Sequence, residues 1–280
     1  MLLGPPGSGK TTLLHHVLLT YARGRQWRFR TRRRVLAFLE FRSLASLITA
    51  NPALTLAYAF RHQIKAHFAD LEKELPDGWV KRRLQHGRMI LLFDGLDEVA
   101  SPEARRTVSA WLERHLTAEA SRANLFLAIS RPGGYQDAPL ERARVLQVEP
   151  FSPTQSRRFI QCWYLQNEII SSGLRETDPV RRRAQEDAED LLRRLGENPD
   201  LYGLSVNPLL LTMLCMVHRY RGALPGSRSQ LYAEICQVLL ERWRQARNVT
   251  DAEGLSGEQK LSVLRPLAEV YMFAGRREPP

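Results

Sequence analysis

Gly4, Gly9, Lys10 and Thr11 stand in the opening stretch MLLGPPGSGKTT on the spacing G-x-x-x-x-G-K-T. In that spacing glycines let successive backbone N–H groups point inward around the phosphates of a nucleoside triphosphate. Pro5, Pro6, Gly7, Ser8 and Thr12 complete the expected cradle. Lys10 would reach the outer phosphates, and the Thr11 hydroxyl would ligate Mg²⁺. An amphipathic stretch, TTLLHHVLLTYA, follows at once, so the positive end of a helix would add to the site.

Two further segments carry groups that such a loop needs. MILLFDGLDE puts Asp94 at the end of an apolar run, where a carboxylate is costly unless paired or bound to a cation. Beside a phosphate loop it is the expected partner of Mg²⁺. Asp97 and Glu98 follow directly, placed to orient and deprotonate a water attacking the γ-phosphate, and Gly95 keeps bulk away. In AISRP, Ser130 and Arg131 close the next apolar run, which sets a cation where it would sense that phosphate. The expected ligands are therefore ATP or ADP with Mg²⁺.

These residues need a sheet to hold them. A stub at 1–3 and the runs at 35–41, 89–93, 124–130 and 145–149 read as five strands, and continuous apolar runs are what parallel strands covered on both faces require. Strand, loop, helix, strand begins a parallel unit. SPEARRTVSAWLERHL at 101–116 opens with a Ser cap, Pro in the first turn and an early Glu, the signs of a helix start. From 152 onward the pattern is helical, broken near 196–200, 205–208, 222–227 and 251–259. The chain divides near Pro150 into an α/β half and an all-helical half.

At 280 residues, with 44% hydrophobic and 25% charged, the composition is that of globular domains. The longest apolar run, 208–217, is too short for a bilayer span, so no membrane segment is expected. The first residues show neither a basic n-region nor a small-residue cleavage site, so a secretory signal is not expected. Cys162, Cys215 and Cys236 lie in apolar helical patterns without metal spacing, which predicts buried reduced thiols in a cytoplasmic protein.

The net charge of +11 is nearly all arginine. The segment 175–196 interleaves Arg with Asp and Glu, as a solvated helix with i,i+4 pairs does. RGRQWRFRTRRR at 23–34 sets Trp27 and Phe29 among arginines. An exposed connection between a helix and a strand is its plain reading; contact with a nucleic-acid backbone is the alternative.

The series GPPGSGKTTLL, MILLFDGLDE, AISRP, FSPTQSRRFIQCWY, NPLLLTMLCMVH and LYAEICQVLLERW resembles the NACHT family, a branch of the STAND class of AAA+-related signalling NTPases. The small Gly95 after Asp94, with acidic Asp97 two positions later, is that family's mark. The resemblance implies a five-stranded parallel αβα P-loop NTPase sandwich at 1–149. It also implies a helical domain at 150–221 and the start of a winged-helix region at 222–280. It places Pro208 near the nucleotide base. Family members carry an effector domain before this region and a sensor after it, so the chain is expected to be part of a longer protein.

Two rival motifs fail. GLSGEQ resembles the ABC-transporter signature but trails Asp94 by more than a hundred residues, so Ser256 is expected as a helix cap. The guanine reader N-K-x-D is missing. His15, His16 and His218 lack companions at metal spacing and read as packing or surface residues. The expected function is a slowly hydrolysing ATP switch that self-associates when ATP-bound and controls signalling, with bacterial defence implied by resemblance only. The alternative is a nucleic-acid-stimulated P-loop ATPase motor.

Overall fold

Continuous leucine-rich apolar runs form the strands of the sheet. The computed structural model describes residues 1–118, 123–173, 175–242 and 256–274. The chain forms two units, Met1–Glu149 and Pro150–Pro280. The first runs β1 (Leu2–Leu3), α1 (Lys10–Ala22), β2 (Val35–Glu40), α2 (Phe41–Ala50), α3 (Leu56–His67), α4 (Ala69–Glu74) and α5 (Trp79–Gln85). It continues with β3 (Met89–Asp94), α6 (Pro102–Thr117), β4 (Leu125–Ser130), α7 (Pro132–Gln136) and β5 (Leu146–Gln147).

The five strands form one sheet in the order β2-β3-β4-β1-β5, and every pairing is parallel. On β3, Met89, Leu91 and Phe93 join the core beneath α2, α3 and α6. Ile90 and Leu92 point the other way, to Leu14 of α1 with Leu2 and Ile129. Side chains alternate across a strand, and both faces of this one are buried, which accounts for its unbroken apolar run. Phe93 stacks on Phe41 at 5.1 Å and meets the edge of Trp111 at 6.2 Å. The strand expected at 35–41 ends at Glu40, because Phe41 turns into α2. The run at 145–149 pairs only through Leu146 and Gln147.

Local signals held at the helix starts. Ser101 Oγ accepts from Ala104 N at 3.1 Å, with Pro102 in the first turn. Four helices between β2 and β3 had no counterpart in the sequence reading. Three of them, α2, α3 and α5, bury side chains in the core on one face of the sheet, and α4 buries none.

The second unit contains α8 (Pro153–Ser171), α9 (Asp178–Glu197), α10 (Pro199–Tyr202), α11 (Pro208–Arg221) and α12 (Arg228–Gln237). A further helix spans Gly257–Ala274. Ser152 and Gln155 form a reciprocal capping box on α8, and Ser256 with Gln259 repeats it for the last helix. Helix α9 carries the expected ion pairs, Arg194–Asp190 at 2.7 Å and Arg193–Glu197 at 2.9 Å. Its other face buries Ala184, Ala188, Leu191 and Leu195.

Between these helices Tyr164 Oη donates to His218 Nδ1 at 2.6 Å, and His218 Nε2 donates to Asp190 Oδ2 at 2.9 Å. A carboxylate only accepts, which fixes the ring proton on Nε2. Hydrogen bonds, Arg194's first, hold the Asp190 carboxyl well below the usual range. His218 is thus a buried, fully bonded packing residue.

The cysteines correct one expectation. Only Cys215 is buried, and burial pushes its thiol up. Cys162 and Cys236 are exposed, because they lie on outward faces of α8 and α12. Among the described residues no helix is long and apolar enough to cross a membrane. The winged-helix expectation at 222–280 falls partly on residues outside those described.

Candidate functional site

The carboxyl ends of β1, β3 and β4 meet at one edge of the sheet, where open α/β folds place their ligands. After β1 the chain enters the loop at Gly4, whose N–H donates to Ser130 O of β4 at 3.3 Å. A Cβ at Gly4 would fall 2.6 Å from Ser8 Oγ, so the residue must be glycine for the loop to close over Ser8. Gly9 has φ 88° directly before α1, a left-handed turn that costs other residues about 1 kcal/mol or more. That turn hands the chain to α1 with its amides facing the loop.

Lys10 Nζ donates to two loop carbonyls, Gly4 O at 2.7 Å and Pro5 O at 3.0 Å. Partial burial lowers its pKa; Asp97 and Asp94 are near enough to oppose the shift, and Arg131 adds to it. Pro5 and Pro6 are exposed, as is Thr12. Ser8 Oγ is buried with no partner among the described residues. An orphaned hydroxyl inside a ring of amides is what a phosphate oxygen would satisfy.

Thr11 Oγ1 donates to Asp94 Oδ1 at 3.4 Å. Burial pushes the Asp94 carboxyl up; the Thr11 hydrogen bond opposes this, while Glu98 and Glu40 add to it. A half-buried carboxylate crowded by like charge, with a hydroxyl beside it, fits a hard divalent cation such as Mg²⁺. Thr11 and Asp94 are the residues that would hold it.

The acidic pair that follows is split by the structure. Asp97 is fastened to Arg131: its Oδ1 accepts from Arg131 N at 2.9 Å and its Oδ2 pairs with Nε at 3.0 Å. Glu98 is exposed, and among the described residues its side chain has no hydrogen bond or ion pair. Gly95, at φ 75°, lets the chain turn there, and a Cβ on it would crowd the Glu98 carboxyl at 3.0 Å. Gly134 in α7 lies against Asp97, where a Cβ would meet Asp97 Cβ at 2.5 Å.

Pro208 lies in the second unit, at the first turn of α11 behind the Asn207 cap, whose Oδ1 accepts from Leu209 N at 3.0 Å.

Glu40 and Gly134 were not singled out from the sequence. Glu40 is the register partner of Asp94 across parallel strands, and its Oε2 accepts from Gln63 Nε2 at 3.4 Å. The signal was there: VLAFLE and MILLFD are apolar runs of equal length that each end in an acid. Gly134 has no such signal, because its reason is a contact with a residue 37 positions away.

A family model described as the NACHT domain matches residues 1–167. Protein NLRC5 of Mus musculus is 26% identical over 251 residues, covering 86% of this chain and 11% of that protein. The chain thus spans a small part of that relative's length. Among solved structures, the Walker-type ATPase PABY2304 of Pyrococcus abyssi aligns with 98% of this chain and 71% of its own, at 15% identity and a TM-score of 0.44.

Proposed function

The chain belongs to the NACHT domain family, and from that premise we propose that it is an ATP-operated molecular switch that hydrolyses its nucleotide slowly and controls oligomer assembly or signalling. The observation that carries this reading is the Arg131–Asp97 pair. Arg131 sits where the γ-phosphate of ATP would lie within reach, and it already has a carboxylate partner. Its side chain is 57% exposed, and ion pairs that wet are worth about 0–1 kcal/mol. The backbone bond from Arg131 N holds Asp97 in place while the guanidinium is free to trade partners.

A charge-assisted bond from Arg131 to the γ-phosphate is worth about 1.5–3 kcal/mol. Moving a two-state equilibrium from 1:10 to 10:1 takes about a hundredfold difference in affinity, roughly 2.7 kcal/mol. One exchange of partner is therefore of the right size to distinguish ATP from ADP.

In this reading the loop amides and Ser8 hold the phosphates, and Lys10 leaves Gly4 O and Pro5 O for the outer ones. Thr11 and Asp94 hold Mg²⁺, which supplies neutralisation of phosphate charge. Glu98, unpaired and beside Asp94, takes the proton of the attacking water; Asp97 positions Arg131 and does not act as the base.

The test is light scattering after size exclusion of protein loaded with ADP, ATP or a non-hydrolysable analogue, with the retained nucleotide identified by chromatography of the denatured sample. Assembly with ATP and its analogue but not ADP is expected. A mass that ignores the nucleotide would end the proposal.

A further inference from the structure

The other edge of the same sheet, where the strands begin, carries a charge that the nucleotide site cannot use. The first acidic residue in the chain is Glu40, and no Asp or Glu occurs between Asp77 and Asp94. Both acid-free segments lead into a strand and run to its last residue, Glu40 of β2 and Asp94 of β3, and the structure joins them where those strands start. Arg34 Nη1 donates to Gly87 O at 3.0 Å and to Ala123 O at 2.8 Å. Val35 N donates to Arg88 O at 2.8 Å.

Arg34 is thereby consumed in holding the edge together. Arg28, Arg30, Arg32 and Arg33 on the first segment are exposed, and none has an acidic partner among the described residues. The same is true of Lys81, Arg82 and Arg88 on the second. Six-residue strands put this edge about 17 Å from Asp94, so the charge does not serve the phosphates of ATP.

Trp27 stands among these arginines with 66% of its surface exposed, and the Arg28 guanidinium lies 5.6 Å from its ring centre. The local chain is ordered to present it. Residues Gln26–Phe29 form a single helical turn, Arg30 closes it at φ 54°, and Thr31 ties back to Gln26 O at 3.1 Å and to Tyr21 Oη at 2.9 Å. A large exposed indole is an expense that a merely solvated linker does not need.

We infer that this edge binds single-stranded nucleic acid, with the two arginine and lysine segments tracking the phosphate backbone and Trp27 stacking on a base. Charge alone would suit any polyanion. The exposed ring beside a guanidinium favours unpaired bases, whose faces are open to stack. The inference does not depend on the switch described above, since the two sites lie at opposite edges.

The experiment is fluorescence anisotropy of fluorescein-labelled oligo-dT and oligo-U of 20 nucleotides with the full chain, repeated from 50 to 200 mM salt. Binding that weakens with salt, with a log–log slope of about −2 or steeper, is expected from several phosphate contacts. Reversing Arg30, Arg32 and Arg33 to Glu should weaken it by about tenfold or more, and reversing Lys81, Arg82 and Arg88 should do likewise. Trp27→Ala, which keeps all the charge, should cost about fivefold or more through lost stacking. ATP affinity measured on the same proteins should not move, which also reports that they are folded.

No binding at 50 mM salt would overturn the inference. So would binding that all three variants retain, or capture by phosphatidylserine-containing vesicles without any by oligonucleotides. Equal binding by wild type and Trp27→Ala, with loss only on charge reversal, would overturn the stacking role.

Discussion

One sheet presents two edges of opposite character. Where the strands end, Asp94, Asp97, Glu98 and Glu40 gather near Lys10 and Arg131. Where they begin, arginines and lysines stand without acids. At the first edge most charged groups have a partner: Lys10 on loop carbonyls, Asp97 on Arg131, Asp94 on Thr11. At the second, Arg34 holds two carbonyls and Arg28 lies against the Trp27 ring, while among the described residues Arg30, Arg32, Arg33, Lys81, Arg82 and Arg88 have no acidic partner. Paired groups describe a site that changes state by exchanging partners, and unpaired ones describe a surface that waits for something brought to it.

The contrast breaks most visibly at Glu98. Glu98→Gln should slow ATP turnover by about 10²–10⁴-fold, the usual worth of a general base, while leaving ATP affinity within about twofold by calorimetry. Turnover that survives would move the base to Asp97 or Glu40. Lys10→Ala comes next: ATP affinity should fall by about a hundredfold, as for the stronger charged hydrogen bonds, and oligonucleotide affinity should stay put. If both fell together the two edges would not be independent.

Within the basic edge, Arg34→Ala should cost about 1–3 kcal/mol of stability by urea denaturation, since two carbonyls lose their donor. Arg33→Ala should stay within about 0.5 kcal/mol, as exposed substitutions do. Equal costs would mean that the edge is held by charge in general and not by one arginine.

The acidic edge was largely legible in the sequence because its residues come in short motifs whose spacing is the chemistry. GPPGSGKT is continuous, and DGLDE follows its own strand. The parallel sheet was legible for a related reason: a strand buried on both faces must read as an apolar run. The division of labour between Asp97 and Glu98 was not legible, for Arg131 lies 34 positions away and only folding brings it to one of the two acids. Of the helices between β2 and β3, only α4, ADLEKE, buries nothing and carries no apolar face; α2 spaces Phe41, Leu44 and Ile48 on one buried face, a helical signal that the reading passed over. The basic edge was half read. The segment 23–34 stood out, but its companion at 81–88 becomes part of the same surface only through the pairing of β2 with β3.

Gly134 offers a handle on the switch that alters no charge. Its backbone is ordinary, so alanine there meets no conformational objection, yet the added methyl would overlap Asp97. In a library of all single substitutions, position 134 should therefore behave like a dial on the arginine latch: each increment of side-chain volume pries Asp97 away from Arg131. Such variants would separate the contribution of the latch from that of its charges, something no substitution of either partner can do.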